Sequence, residues 1–478
     1  MGRWSRLVCV VVAVALGVGL APVSAGAKDS TLKKPKAPKE WDERVQPFVD
    51  FVESARGLEF DHPVAVRFLA DKAFEREIRS DSKPTKEEKA FDDQIAGELV
   101  ALGLAGKKVD LSEASEDLYV TTTVGYYDTE VEELVVRGTD ATSVDARVTI
   151  VHELTHALQD QQFDLDALDK KAKEGSEILA LEFLVEGDAT IVENAYLDTL
   201  SPAEQEEYFG TAEDVPEEPL PDDVPYALDV FASAPYVLGP AYLTALDPDG
   251  GHAARDGAFE DPPKTEEVLI DPVALQQRQS EKQVADPKLQ KGEKKAYDPE
   301  QFGVLSLYLM LATRLDVRTA LAAVTGWGGD SYVRFKKGGD SCVRTNVTGD
   351  TAADTDELEG ALTAWKATMP EGAVEVSRSG DVVTFTACEA KGVAEPTVEK
   401  FDSVFYNVLA DRISVVLDVA SDGTPLGTAL CVGDLVSTDP EVVALFDVVY
   451  AEGREPTDEE LVVLDDAYNE AYPACGVA

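Results

Sequence analysis

The chain has 478 residues, 44% of them hydrophobic, and its 43 Lys and Arg against 92 Asp and Glu give a formal net charge of −49. A chain of this length exceeds one ordinary hydrophobic core, so we expect two or three domains. The negative field repels phosphate backbones and excludes nucleic acid as a partner. It is typical of an acidic, solvated surface outside the cell or in high salt.

The N-terminal segment has the pattern of a secretory signal peptide. Two arginines precede an apolar run over residues 7–20, and small residues at 25–27 offer a cleavage site. The run is short for a membrane span. We therefore predict a signal peptide over 1–27, cleaved near Ala27, then a Lys- and Pro-rich disordered leader over 28–39. The mature protein is expected to be secreted, extracellular or on the cell-envelope side, without an integral membrane span.

Helical periodicity begins at Trp41, and "HPVAVRFL" predicts a short strand after that helix. Two further helices are predicted, the second ending near Gly103. The runs "DLYVTTTVGYYD" and "EELVVRG" are rich in β-branched and aromatic residues, so they predict two strands of a hairpin joined by a short polar turn.

A helix predicted from about Asp145 to Gln161 contains the sequence "HELTH". Residues i and i+4 lie on one helix face, so His152 and His156 can present both imidazoles to one zinc ion. Glu153 lies beside them, where a carboxylate can take a proton from a water molecule that the metal activates. This is the HExxH arrangement, which occurs by accident in roughly one chain of this length in a hundred.

A hydrolytic zinc needs a third protein ligand. The metzincin continuation is absent, because Gln159 and Gln162 occupy its Gly and His places. His252, in "DPDGGHAAR", is better explained as a surface-loop histidine. The next predicted helix, "SEILALEFLVEGDATIVENAYLDTL", is a stronger source, because its acids lie in an apolar setting rather than on an ordinary solvated face. Three of these acids fall close to one helical stripe: Glu182, Glu186 and Glu193.

Spacing cannot choose between Glu182 and Glu186, which lie one turn apart on the same face. Gly187 favours Glu186, because glycine inside a helix costs roughly 0.5–1 kcal/mol and close approach of the histidine helix would explain it. Glu182, one turn further off, is then predicted to hydrogen-bond a ligand histidine.

Beyond these two helices the pattern alternates between loops and apolar segments. The predictions in chain order are an acidic loop at "EDVPEEPLPDDVP", a helix at "FASAPYVLGPAYLTAL", an extended segment at "FEDPPKTEEVLIDP", a charged loop over 276–296, a buried helix at "PEQFGVLSLYLMLATRL", strands from "GWGGDSYVRFKK", and a mostly helical tail from about Thr397.

Four cysteines remain after the signal segment: Cys342, Cys388, Cys431 and Cys475. An even number in an exported chain predicts two disulfides. Four cysteines allow three pairings, of which we favour the sequential one. A zinc site built from all four is the alternative, but no pair has CxxC spacing.

The "HELTH" sequence followed by Glu186-Gly187-Asp188-Ala189 resembles the gluzincin clan of zinc peptidases, in which a glutamate is the third ligand. Over roughly residues 40–390 the chain is similar to a largely uncharacterised family of exported bacterial gluzincin-like proteins. The resemblance implies that His152, His156 and Glu186 bind Zn²⁺ and that Glu153 is the general base. It also implies that "EELVVRG" is an edge strand for an extended peptide. Tyr236, in "APYVLGP", is the candidate for holding the oxyanion, with a packed aromatic as the ordinary alternative.

The predicted fold class is α+β. A zincin-like metallopeptidase core, mainly helical with a small sheet, is expected over 40–275, a helical and strand extension with the first disulfide over 276–396, and a small, mainly helical module over 397–478. The predicted function is a secreted zinc metallopeptidase acting on a peptide or protein substrate. The alternatives are an inactive zinc-binding protein of gluzincin fold that serves as a binding module, and a non-peptidase hydrolase on the same scaffold.

Overall fold

The computed structural model describes most of the chain between residues 37 and 476. The predicted signal peptide and most of the leader lie outside the described residues, as does most of the predicted acidic loop. The described ranges are 37–79, 85–172, 175–214, 225–246, 251–271, 281–396, 408–421, 423–452, 456–457 and 459–476.

The N-terminal part begins with helices around one strand, as predicted up to Gly103, which ends the third helix in a left-handed conformation. The prediction of a strand over "DLYVTTTVGYYD" is wrong for its first half. That half belongs to a helix, because Leu111, Ala114 and Leu118 recur at helical spacing and are buried in the main core. The elements are α1 (Gln46–Arg56), β1 (Ala65–Leu69), α2 (Asp71–Ile78), α3 (Lys86–Leu102) and α4 (Leu111–Thr122).

A three-stranded sheet follows, built from β1, β2 (Gly125–Asp128) and β3 (Glu133–Arg137). Strands β2 and β3 form the predicted antiparallel hairpin. The strand order is β1-β3-β2, with β1 parallel to β3. The prediction that "EELVVRG" is an edge strand is therefore wrong: β3 is central, because β1, distant in sequence, pairs with its other side. The outer strand on the hairpin side is β2.

Six helices among the described residues follow the sheet, and they include the predicted helix with "HELTH" and the predicted helix with Glu182, Glu186 and Glu193. Helix α7 (Gly175–Leu197) packs against both α5 (Val144–Phe163) and α9 (Tyr226–Leu246). Helix α9 continues through two internal prolines, Pro235 and Pro240. The other three helices are α6 (Leu165–Lys171), α8 (Pro202–Asp214) and α10 (His252–Glu260).

Gly187 does mark a close helix contact, but its partner differs from the predicted one. A Cβ atom at Gly187 would lie 2.4 Å from the carbonyl carbon of Gly239, and one at Gly239 would lie 2.4 Å from the carbonyl oxygen of Phe183. The glycine therefore lets α7 approach α9 rather than the histidine helix α5, and that part of the prediction is wrong.

The prediction that "FEDPPKTEEVLIDP" is extended is wrong for its second half. Thr265 is extended, but Glu266–Leu269 form a buried 3₁₀ turn, because a proline restricts only the residue before it and Pro263 lies three residues upstream of the turn. The charged loop ends in a short strand, β4 (Glu293–Lys295), and the apolar run forms the predicted helix α11 (Val304–Ala312), which is buried throughout. Helix α12 (Val317–Val324) follows.

A second, antiparallel sheet consists of β4 and four further strands, β5 (Trp327–Lys337), β6 (Asp340–Gly349), β7 (Val374–Ser379) and β8 (Val382–Cys388). Their order in the sheet is β4-β5-β6-β8-β7. The Cys342–Cys388 disulfide joins directly opposed residues of β6 and β8, so the first predicted pairing is confirmed. The helix on this sheet is α13 (Ala352–Thr368).

The tail is helical as predicted and has a hydrophobic cluster of its own. The second disulfide, Cys431–Cys475, is also confirmed and ties the second of its helices to the last. The helices are α14 (Val408–Ser421), α15 (Leu426–Ser437), α16 (Pro440–Glu452) and α17 (Leu461–Ala474).

The molecule is thus a mixed α+β protein with both disulfides in its C-terminal third. Its largest hydrophobic cluster contains residues from α3 through α14 and so draws on both sides of the predicted boundary at residue 275. Within the described part of the chain, no helix is both long and apolar enough to cross a membrane.

Candidate metal centre

Helix α5 carries the "HELTH" sequence through the interior of the molecule. Its first turn is capped by the Ser143 side chain, which accepts a hydrogen bond from the backbone N–H of Ala146 at 3.2 Å. From Val148 to Gln159 every residue of the helix is buried. Six polar side chains of this stretch are therefore held in the interior, and each of them needs a partner: Thr149, His152, Glu153, Thr155, His156 and Gln159.

The structure brings together three of the residues singled out in the sequence. His152 Nε2 and His156 Nε2 lie 3.0 Å apart. Glu186 Oε2, from α7, lies 3.2 Å from the first and 3.3 Å from the second. The ligand-type atoms of all three residues are within 4.8 Å of one another, and all three residues are buried.

These distances match the spacing of ligands around one metal ion. Tetrahedral coordination with ligand distances of about 2 Å separates neighbouring ligand atoms by about 3.3 Å. Two imidazole nitrogens and a carboxylate oxygen that converge at such a distance repel one another unless a positive charge lies between them. The three residues could therefore hold a metal ion.

The remote nitrogen of each imidazole has an acceptor of its own. His152 Nδ1 lies 2.8 Å from Glu193 Oε2, and His156 Nδ1 lies 2.9 Å from Gln159 Oε1. Each Nδ1 therefore donates its hydrogen to that acceptor, which makes Nε2 the ring atom available to a metal ion. The prediction that Glu182 supports a ligand histidine is wrong, because Glu193, on the same helical stripe, has that role.

The pKa values follow from burial and from these contacts. Burial alone lowers the pKa of His152, but hydrogen bonds to Glu186 and Glu193 raise it well above its ordinary value. Burial raises the pKa of Glu186, yet the two imidazoles outweigh burial and bring it to about 2. The carboxylate is thus charged, as a metal ligand must be.

Glu153 lies beside the three converging residues with only 1% of its surface exposed. Burial raises its pKa, opposed by the two histidines and by a hydrogen bond from the backbone of Tyr127. Its Oε2 is buried and has no hydrogen-bond partner in the described structure. A carboxylate with one unused oxygen next to a cluster that could hold a metal ion can accept a proton from a bound molecule.

Tyr236 and His252, the other residues considered in the sequence, occupy different places. The Tyr236 ring, on α9, lies 5.9 Å from the His152 ring between centroids. Its role in holding an oxyanion stays a prediction. His252 lies on α10 with its Nδ1 3.0 Å from Arg255 Nη2 and is not part of the converging group.

Sequence reasoning missed a second layer of polar residues behind the histidines. Gln159 was noted only because it departs from the metzincin pattern, and Asp188 only as part of the "EGDA" sequence. Gln159 lies three residues after His156 on the same helix face, and this spacing could have placed it near the site. Asp188 lies only two residues after Glu186, so no such spacing points to it. Two buried arginines, Arg56 and Arg255, come from distant helices and carry no local signal.

Comparison with known proteins gives one match. Residues 293–403 match the family described as "Domain of unknown function (DUF8575)". No curated protein and no solved structure matches the chain. The matched segment covers the second sheet and α13, so the candidate metal centre, on α5 and α7, lies outside it.

Proposed function

We propose that the chain is a secreted, zinc-dependent metallopeptidase of zincin-like fold, with His152, His156 and Glu186 as zinc ligands. The observation that carries the proposal is the triangle of two imidazole nitrogens and one carboxylate oxygen, with sides of 3.0–3.3 Å. Imidazole and carboxylate ligands in tetrahedral geometry suit zinc. The Oε2 atom of Glu153, which has no hydrogen-bond partner in the described structure, favours catalysis over simple metal storage.

Zinc bound there would supply Lewis acidity, which lowers the pKa of water to about 7 and polarises a carbonyl group. The protein's own contribution is Glu153. Its pKa is raised by burial, so its affinity for a proton is closer to that needed at neutral pH than that of an exposed glutamate. Glu153 takes the proton from the attacking water and delivers it to the leaving amine. Tyr236 is the proposed oxyanion donor.

The proposal of a peptide substrate is supported by the position of β2. A Cβ atom at Gly125 would lie 2.6 Å from Thr149 Cγ2 and 3.5 Å from Glu153 Cγ, so this outer strand lies directly against α5 at the general base. The backbone N–H of Arg137, at the end of β3, donates to the carbonyl oxygen of Val124 at 2.8 Å. Because the ladder alternates, the backbone groups of Gly125 and Tyr127 face away from β3, and the Tyr127 N–H donates to Glu153 on that side. An extended peptide could pair there with the backbone of Gly125 and the Tyr127 carbonyl as a further strand.

Substitution of Glu153 by glutamine tests the proposal. The Glu153→Gln variant should bind zinc as the parent does and lose roughly 10²–10⁴-fold in turnover of a peptide library, because the base contacts water rather than the metal. Asp169→Asn, at an exposed acid on α6, removes the same charge away from the centre and should retain activity. A parent that binds zinc but cleaves no peptide would contradict the peptidase assignment.

The second candidate is a zinc-binding protein without turnover. The observation that favours it is enclosure: His152, Glu153, His156 and Glu186 are all buried, as in a structural metal site. For such a protein, Glu153→Gln should leave the zinc content unchanged, and neither the parent nor the variant should hydrolyse peptides. Removal of zinc by a chelator should then lower the thermal midpoint of unfolding and weaken the binding of a partner, with no change in any hydrolytic activity.

A further inference from the structure

Asp188 is the centre of a fully buried polar network behind His156. Its Oδ1 accepts a hydrogen bond from Arg255 Nη1 at 2.8 Å. Its Oδ2 accepts hydrogen bonds from Arg56 Nε at 2.8 Å and from Gln159 Nε2 at 3.0 Å. The carboxylate itself is completely inaccessible to solvent. Three donors from α1, α5 and α10 are thus collected by one side chain of α7.

The surroundings of Gln159 determine which way its amide group points. Its nitrogen lies 3.0 Å from Asp188 Oδ2 and 3.0 Å from the Val185 carbonyl oxygen, and both of these atoms can only accept. The amide oxygen must therefore face His156 Nδ1, at 2.9 Å. An acceptor at that position requires His156 to carry its hydrogen on Nδ1, which leaves Nε2 for the metal.

We propose that Gln159 and Asp188 are positioning residues that fix the tautomer and the ring orientation of His156 before the metal binds. The inference rests on the metal-binding part of the proposed function and does not depend on peptide hydrolysis. Asp188 acts through Gln159: its carboxylate fixes the amide, and the amide fixes the imidazole. Arg56 and Arg255 compensate the charge of Asp188 and hold it in place.

A purely structural role for the network would have different consequences. Arg56 also forms an ion pair with Asp256, at 2.7 Å, so the cluster joins α1, α7 and α10 whether or not a metal is bound. A structural cluster would change stability when altered, but it would leave the affinity for metal and the protonation of His156 unchanged.

Metal affinity separates the two roles. Gln159→Met keeps the length of the side chain but removes its acceptor, and competitive titration with a zinc chelator should show roughly 10–100-fold weaker zinc binding. Asp256→Asn is the matched control, because it weakens an ion pair of the same network but leaves all three hydrogen bonds to Asp188 in place; it should bind zinc as the parent does. Gln159→Leu is a second variant, should the methionine variant not fold.

Selective ¹⁵N-histidine labelling supplies a direct signal, because the chain has only four histidines. In the zinc-loaded parent the Nδ1–H proton of His156 should be protected from exchange, and in Gln159→Met this protection should be lost while the signals of the other histidines persist. Zinc binding and Nδ1–H protection that remain as in the parent would overturn the inference.

A double-mutant cycle tests the Asp188 step. Asp188→Asn offers one oxygen to three donors and should weaken zinc binding alone, yet add nothing in the Gln159→Met background. Additive effects would show that Asp188 does not act through Gln159. If the parent protein binds no zinc at all, the proposed function itself fails; if it binds zinc and Gln159→Met binds equally well, only the positioning inference fails.

Discussion

Glu182 and Glu186 occupy neighbouring turns of α7 but have opposite electrostatic surroundings. The imidazoles bring the pKa of Glu186 to about 2 despite its burial. Burial and the charge of Glu186 raise the pKa of Glu182 well above its ordinary value, and Glu182 Oε2 has no hydrogen-bond partner in the described structure. Glu186 therefore has the surroundings of an ionised ligand, and Glu182 those of a protonated acid.

This difference predicts different effects on zinc affinity. Glu186→Ala removes one of the three proposed ligands and should weaken zinc binding by far more than the roughly 10–100-fold typical of a residue that only supports a ligand. Glu182→Ala should change the affinity by less than that range. Equilibrium titration of both variants is the measurement, and an empty site in Glu182→Ala with a filled one in Glu186→Ala would reverse the assignment.

At this scale the sequence predicts the converging residues well, because they depend on local spacing. His152 and His156 share a helix face by their separation, and the apolar setting of the acids on the next helix points to Glu182 and Glu186. The choice between these two needs the structure, because Gly187, which favoured Glu186, contacts α9 and not α5. The supporting residues depend on tertiary contacts instead. Arg56 reaches Asp188 across 132 positions of sequence, and no local pattern contains such a pair.

At the scale of elements, the crossing of α7 and α9 depends on two glycines. Gly187→Ala would place its Cβ 2.4 Å from the backbone of Gly239, which cannot move aside as a flexible side chain does. The unfolding free energy should fall by about 1–3 kcal/mol, as for other overpacked interiors. Urea unfolding of the zinc-free protein measures this change.

Gly360 supplies the control, because it is an exposed glycine within α13 and a Cβ there would meet no atom within 4 Å. Gly360→Ala should stabilise the protein by roughly 0.5–1 kcal/mol, the ordinary gain from replacing glycine within a helix. Equal effects of the two substitutions would show that the α7–α9 contact is looser than the structure indicates.

The elements themselves were predictable where one periodicity prevails, as in α5, α7, α11 and the hairpin β2–β3. Predictions failed where contacts with segments distant in sequence determine the secondary structure or the strand order. The run from Val120 to Val124 is rich in β-branched residues, yet α4 extends into it because its apolar face packs on the core. Likewise, the central position of β3 depends on β1, whose pairing is set by the fold and not by the local sequence.

At the scale of the whole molecule, burial of acids accompanies the large negative charge. Glu266, Glu267 and Asp330 are each less than a tenth exposed. Burial is the main cause that raises their pKa values, to about 8 for Glu266, about 9 for Glu267 and about 7 for Asp330. Glu266 and Asp330 accept hydrogen bonds from the backbone at the start of α11, whereas Glu267 Oε1 has no partner among the described residues.

The raised pKa of Glu267 therefore predicts how the unfolding free energy depends on pH. Its folded pKa, about 9, lies above the unfolded value of about 4.3, so the folded state holds a proton that the unfolded state releases between these values. The stabilisation is complete below pH 4 and is lost as the pH rises towards 9. Between pH 6 and 8 the group should lower the unfolding free energy by about 1.4 kcal/mol per pH unit.

Glu267→Gln mimics the protonated side chain and cannot ionise, so its stability should fall less steeply with rising pH than that of the parent, by about that slope. Urea unfolding at several pH values, with a chelator present throughout, removes the contribution of metal binding. Glu371→Gln, at an exposed acid, removes a charge without burial and should keep the parental slope. Parallel curves for Glu267→Gln and the parent would mean that Glu267 ionises in the folded protein, and that this part of the interior is more accessible to water than its burial indicates.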